Sequence, residues 1–221
     1  MNLTQIIYNM KHNRVLVLLL IFSFTFGAFA QNPSPDPIDT VNSTEVNSYK
    51  LGVNNSTFII KGTSSLHDWE MVSKSFNGNM TIALKGEKNF EINDIAVALK
   101  VTSLESDNKI MNNKTYDALK NDKHPNINYK FKSLKSIKSI GDNQYEAMLN
   151  GNLTIAGKTK SVDILVTFEM ANNKITVKGE KPMKMSDFDV EPPKALLGTI
   201  KTGNDITIEF TLNYEFNSNY L

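Results

Sequence analysis

The sequence has 221 residues and no cysteine. That excludes disulfides, thiolate-bound zinc, iron–sulfur clusters, a thiol nucleophile and a lipidated N-terminal cysteine, so the fold is held by its core alone. An excess of one charge is also missing, because 24 Lys and Arg stand against 23 Asp and Glu. Such balance leaves no global electrostatic footprint for nucleic acid and no basic block of the kind that tracks an anionic membrane. One long apolar run exists, near the N-terminus, and it is shorter than the ~20 residues that span a bilayer. With 40% hydrophobic residues, the composition is that of an ordinary globular domain, one or at most two small ones.

Lys11, His12 and Arg14 precede the apolar run Val15 to Phe22, which continues to the small-residue pattern Ala28-Phe29-Ala30. Charged flank, length and cut site predict a signal peptide over residues 1–30, hence export, to the periplasm or into the medium, with no stable membrane span after cleavage. Residues 31–48 hold Pro33, Pro35 and Pro37 among Asn, Ser, Thr and Asp and read as a flexible leader. The folded domain is then 49–216, with a short tail over 217–221.

A two-residue period organises that domain. Ile206, Ile208, Phe210, Leu212 and Tyr214 alternate with polar residues, the pattern of a half-buried strand. The same alternation runs through Met80, Ile82 and Leu84, through Ile95, Val97, Leu99 and Val101, through Tyr145 to Ile155 and through Val162 to Met170. Shorter versions occur at Phe58 and Ile60, at Ile127, Tyr129 and Phe131, and at Ile175 and Val177. Gly141-Asp142-Asn143, Ala156-Gly157-Lys158 and Asn172-Asn173 sit where successive runs must reverse, so neighbouring strands are antiparallel. Only Lys109 to Lys120 has helical spacing, and it ends before Pro125. Met183 to Asn204, with Pro192-Pro193 and Gly198, reads as a long loop with buried parts. About eight amphipathic strands and one short helix require a closed barrel or a sandwich.

Catalytic chemistry is thinly represented. His67-Asp68-Trp69 is the densest polar cluster, but neighbouring residues of an extended chain face opposite ways, so a structural or pocket-mouth role fits better than a general base. His124, in a polar turn, is expected to be solvent-exposed. With His12 in the signal, two histidines remain, too few for an all-histidine metal centre. Thr63-Ser64-Ser65 and Ser186 have no nucleophile-elbow context. Lys130, Lys132, Lys135 and Lys138 read as a solvated strand face that also discourages edge pairing.

Four blocks carry a family resemblance. Lys61-Gly62-Thr63-Ser64-Ser65-Leu66-His67-Asp68-Trp69, Met111 to Lys120 running into His124 to Phe131, Gly151-Asn152-Leu153-Thr154-Ile155-Ala156-Gly157-Lys158-Thr159-Lys160-Ser161-Val162, and Lys184 to Pro193 resemble, in order, the YceI-like family. Asn55-Ser56 stands where the family pattern has a His-Ser pair, as in a divergent branch. The resemblance implies an all-β fold, an antiparallel eight-stranded lipocalin-like β-barrel, whose interior binds an isoprenoid or related lipid.

On that reading the protein is not an enzyme, needs no cofactor or metal, and has a long-chain apolar lipid as partner rather than nucleic acid. The inward apolar phases nominate Phe76, Met80, Ile82, Val97, Leu99, Tyr129, Phe131, Leu149, Leu153, Val166, Phe168, Phe210 and Leu212 as ligand-lining. Trp69, Met185, Phe188, Leu196 and Leu197 are nominated for the pocket mouth or its lid. A protein-interaction module with a filled core and a lipid- or glycan-acting enzyme are the other classes open to the sequence.

Overall fold

The computed structural model describes residues 45–84, 90–171, 173–195 and 199–217. The predicted signal peptide, most of the leader, Leu196, Leu197 and residues 218–221 lie outside them. The strands are β1 (Glu45–Ser64), β2 (Trp69–Ser73), β3 (Phe76–Leu84), β4 (Phe90–Lys100), β5 (Asn126–Gly141), β6 (Gln144–Ile155), β7 (Lys158–Ala171), β8 (Lys174–Lys184), β9 (Lys194–Ala195) and β10 (Ile200–Phe216). Eight of them pair antiparallel in the order β1-β3-β4-β5-β6-β7-β8-β10, and β10 returns to β1 to close an antiparallel barrel. Closure removes the unpaired edges that an open sheet of these strands would expose.

β1 begins at Glu45, so Glu45–Ser48 belong to the barrel rather than to the leader. It is far longer than the short run at Phe58 and Ile60 suggests, because a bulge interrupts its period. Gly52 pairs with Asn213 and Thr57 with Thr211, so residues 53–56 oppose Leu212 alone. The Ser56 hydroxyl donates to the Gly52 carbonyl at 2.7 Å and accepts from the Asn213 N–H at 2.9 Å. Asn55, at φ 65°, gives its carbonyl to the Asn213 side-chain amide. Before the bulge β1 pairs with β3, and after it with the short β2.

The hairpin turns follow their residues. Ala156 and Gly157 both have positive φ (50° and 86°), the geometry that twists two strands correctly into a two-residue hairpin between Ile155 and Lys158. Gly157 also lies under His124. A Cβ there would come within 2.5 Å of the imidazole, so His124 is half-buried against the turn, not exposed as its sequence context suggests.

The helix α1 (Lys109–Ala118) starts where Asn108 Oδ1 accepts from the N–H groups of Ile110 and Met111. None of its residues is fully buried. The Tyr116 hydroxyl ties it down by donating to the Leu104 carbonyl at 2.8 Å. The segment Met183 to Asn204 is more ordered than a long loop: β8 runs to Lys184, a 3₁₀ turn follows at Met185–Phe188, and β9 pairs with β10. Met183, Met185, Phe188 and Val190 line the interior from a strand end, a 3₁₀ turn and the residues after it rather than from one strand face, so they show no single period.

Lys130, Lys135 and Lys138 do face outward. Each meets an acid of a nearby strand: Lys130 lies 2.6 Å from Asp94 on β4, Lys135 2.5 Å from Asp163 on β7, across β6, and Lys138 2.7 Å from Glu146 on β6.

Candidate functional site: an apolar cavity in the barrel

The two ends of the barrel are built differently. At one end Phe90 meets Tyr145 edge-on at 5.0 Å and Phe168 at 6.3 Å, while Tyr49 packs on Phe216 at 5.8 Å. None of these rings lines the cavity at the other end, and Phe168 is fully buried. Toward the other end the interior opens into a cavity of about 350 Å³, within the range of roughly 300–1,000 Å³ typical of small-molecule sites. It reaches the surface beside Leu66 and Ile110, which line it while remaining 66% and 69% exposed.

Of the nominated interior residues, Met80, Val97, Leu99, Tyr129, Leu149, Leu153, Val166, Phe210 and Leu212 line this cavity. Four do not. Phe168 and Ile82 belong to the filled end, Phe76 is buried in the packed core, and Phe131 is half-buried just before a bulge in β5. Alternation identifies which face of a strand points inward but not how far along the barrel the packing is complete.

The wall keeps its volume through a recurring pairing of an aromatic ring with a glycine. A Cβ on Gly62 would sit 2.2 Å from the Trp69 ring, on Gly151 2.4 Å from the Tyr129 ring, and on Gly179 2.5 Å from the Phe210 ring. All three rings line the cavity. Each fills the space that a neighbouring side chain would otherwise occupy, and so lies back against the wall.

The mouth is assembled from the turn before β2, α1 and the segment after β8. Ser64 Oγ donates to the His67 carbonyl at 2.8 Å and accepts from the N–H groups of Leu66 and His67, a tight turn that presents both side chains at the rim. The Trp69 indole N–H donates to the Thr63 carbonyl at 2.9 Å. His67 and Trp69 thus share the mouth. Asp68 does not orient the imidazole with its carboxylate, since His67 Nδ1 lies 2.6 Å from the Asp68 carbonyl instead. Among the described residues no group of three or more His, Asp or Glu is placed to hold a metal.

Met185 and Phe188 line the cavity from the 3₁₀ turn. Asp187 caps that turn by accepting from the Lys184 N–H at 3.1 Å, and Lys160 pairs with it from β7. Those two partners hold the Asp187 carboxyl below the usual carboxylate range. Lys158 does the same for Asp189, whose positive φ of 54° turns the chain out of the 3₁₀ segment. Leu196 and Leu197 lie outside the described residues.

Sequence reading missed the contribution of α1. Ile110, Met111, Thr115, Ala118 and Leu119 all line the cavity, and their helical spacing was the available signal. It also missed Lys114, Lys181, Lys184 and Lys194 around the wall and rim. Deep inside, the phenols of Tyr129 and Tyr214 are buried without a hydrogen-bond partner. Burial, and secondarily the charge of Asp163, pushes the Tyr129 phenol up to about 12. Burial followed by the neighbouring Tyr129 raises Tyr214 as well. Both are neutral hydroxyls at physiological pH.

Comparison with known proteins agrees with this architecture. Residues 44–214 match the model of the YceI-like domain. The structure is similar to Burkholderia cenocepacia BcnA, at 21% identity over 74% of this chain and 98% of that one, with a TM-score of 0.57. It is also similar to a polyisoprenoid binding domain from Saccharophagus degradans implicated in plant cell wall breakdown, at 12% identity over 77% and 99% of the two chains, with a TM-score of 0.61. No curated protein matches by sequence. With a match that spans nearly all of the barrel, the chain belongs to the YceI-like family.

Proposed function

We propose that this protein is exported and sequesters one long apolar lipid, an isoprenoid, a quinone or a fatty-acid-like chain, for carriage or storage outside the cytoplasm. The observation that carries the reading is a cavity of about 350 Å³ whose wall is predominantly aliphatic and aromatic and which opens at one end of the barrel. A filled core, the arrangement expected of a pure interaction module, would have no such space. Each buried CH₂ contributes about 0.8 kcal/mol. Ten of them therefore supply roughly the 8 kcal/mol of a micromolar complex before ordering costs are subtracted. No bond need be made or broken, so the role requires no catalytic group. The polyisoprenoid named for the Saccharophagus domain supports an isoprenoid as first candidate.

Native mass spectrometry of the protein taken from its exported compartment, followed by organic extraction, tests the reading. A stoichiometric long-chain lipid is the expected result. A ligand-free mass that stays unchanged after incubation with isoprenoids, quinones and fatty acids would reject it in favour of an interaction module. Trp69, on the cavity wall, is the sole tryptophan of the chain. Its emission is expected to shift as lipid enters.

A further inference from the structure

Two buried hydroxyls in the cavity wall are left without a hydrogen-bond partner. Tyr129 projects from β5 and Tyr214 from β10, strands that stand four places apart in a ring of eight, so the two phenols reach inward from opposite sides. Tyr214 is only 1% exposed, and neither hydroxyl has a hydrogen-bond partner. Buried polar groups are almost always paired, and a buried donor left alone is among the costlier features a core can hold. A lumen meant only for hydrocarbon would be served as well by phenylalanine at both positions, since the rings would fill the same space.

We propose that the cavity receives a neutral oxygen acceptor of the bound lipid, a carbonyl above all, held between the hydroxyls of Tyr129 and Tyr214. The inference rests on the lipid-binding reading and narrows its ligand class from any long chain to an oxygenated one. A carbonyl oxygen has two lone pairs and can accept from both phenols. A hydrocarbon satisfies neither. An ionised carboxylate would have to leave water for an apolar wall, which disfavours it at this depth. Because both phenols stay protonated, they act as donors across the physiological range. The pair also fixes an orientation, with the oxygen held deep and the rest of the chain running toward Met185 and Phe188 at the mouth.

The test uses protein produced from the full-length sequence, delipidated, and two probes: farnesylacetone, an isoprenoid ketone, and the isoprenoid hydrocarbon with a methylene in place of its carbonyl. Bound lipid is counted by extraction after gel filtration over a concentration series. The native protein should bind the ketone about five- to tenfold more tightly than the hydrocarbon, the worth of one or two net hydrogen bonds. Tyr214→Phe and Tyr129→Phe should each erode that preference, and the double variant should bind the two probes equally. Equal affinities for the two probes in the native protein would overturn the proposal and leave the lipid-binding reading standing. Failure of both probes to bind would overturn both. A crystal structure of the ketone complex in which the carbonyl lies away from both hydroxyls would overturn the acceptor site alone.

Discussion

The ring of Tyr129 occupies the place that a side chain at Gly151 would take. The two residues lie on paired strands, β5 and β6, and the hypothetical Cβ would approach the phenol to 2.4 Å. A tyrosine that large remains compatible with an open lumen only because the adjacent strand presents no side chain under it.

Gly151→Val should therefore push the Tyr129 ring into the cavity. The expected outcome is a loss of about 1–3 kcal/mol of stability from overpacking, together with at least a tenfold loss in lipid captured per protein. Adding Tyr129→Leu should recover stability, because two residues in contact do not act additively. Chemical denaturation of both single variants and of the pair gives the coupling; simple additivity would mean that the ring and the glycine are independent.

Leu149 and Phe168 lie on opposite sides of the boundary between the cavity and the packed end. Leu149 lines the cavity, whereas Phe168 is fully buried away from it. Leu149→Trp should fill space that is already empty, keeping the thermal midpoint within a few degrees while abolishing lipid uptake. Phe168→Ala should cost about 3–5 kcal/mol. Uptake that survives Leu149→Trp would place the ligand elsewhere.

Alkaline pH should weaken the fold through the same phenols that lie in the wall. In the unfolded chain a tyrosine ionises near 10.0, while burial raises Tyr129 to about 12 and raises Tyr214 too. The stabilising contribution of the neutral form is thus complete below pH 10. It is lost as pH climbs toward the raised values, because the unfolded state then holds fewer protons than the native one. Urea midpoints measured from pH 8 to 11.5 should fall above pH 10, and the fall should shrink in Tyr129→Phe/Tyr214→Phe. A midpoint indifferent to pH in that window would contradict the burial of both hydroxyls.

Ser56→Ala tests the bulge in β1. The substitution removes the bond to the Gly52 carbonyl and leaves the Asn213 N–H without its acceptor inside a site where Ser56 is 1% exposed. A loss of about 1–3 kcal/mol is expected from equilibrium unfolding. A change under half of one kcal/mol would show that the bulge holds without the hydroxyl.

The sequence made the fold legible wherever a strand kept its period. The runs through β6, β7 and β10 are seen in the residues as they are in the barrel, and Ala156-Gly157 announced its hairpin. Legibility failed at irregularities. Four residues of β1 opposite one of β10 shift the inward phase from Tyr49 and Leu51 to Phe58 and Ile60, so a single strand of 20 residues reads as a short one. Bulges after Phe131, Leu134 and Ser139 disguise the second half of β5 in the same way. The site was half-legible for a different reason. A residue's phase says that Phe168 and Val166 both point inward, yet one is packed by Phe90 and the other faces open volume. That distinction depends on what approaches from across the barrel. The unpaired phenols of Tyr129 and Tyr214 looked like any other aromatic position, since hydrogen-bond satisfaction is a property of the assembled interior.

Among the described residues the rings of Phe90, Tyr145 and Phe168 pack the end of the lumen opposite the mouth. Among the described residues the cavity reaches the surface beside Leu66 and Ile110, so on the proposed function a lipid would enter and leave through that one opening. A donor and an acceptor of the cargo would compete for one doorway and could not be engaged together. Handover would then alternate between docking events, and an occupied barrel would have to be emptied before it could be loaded again.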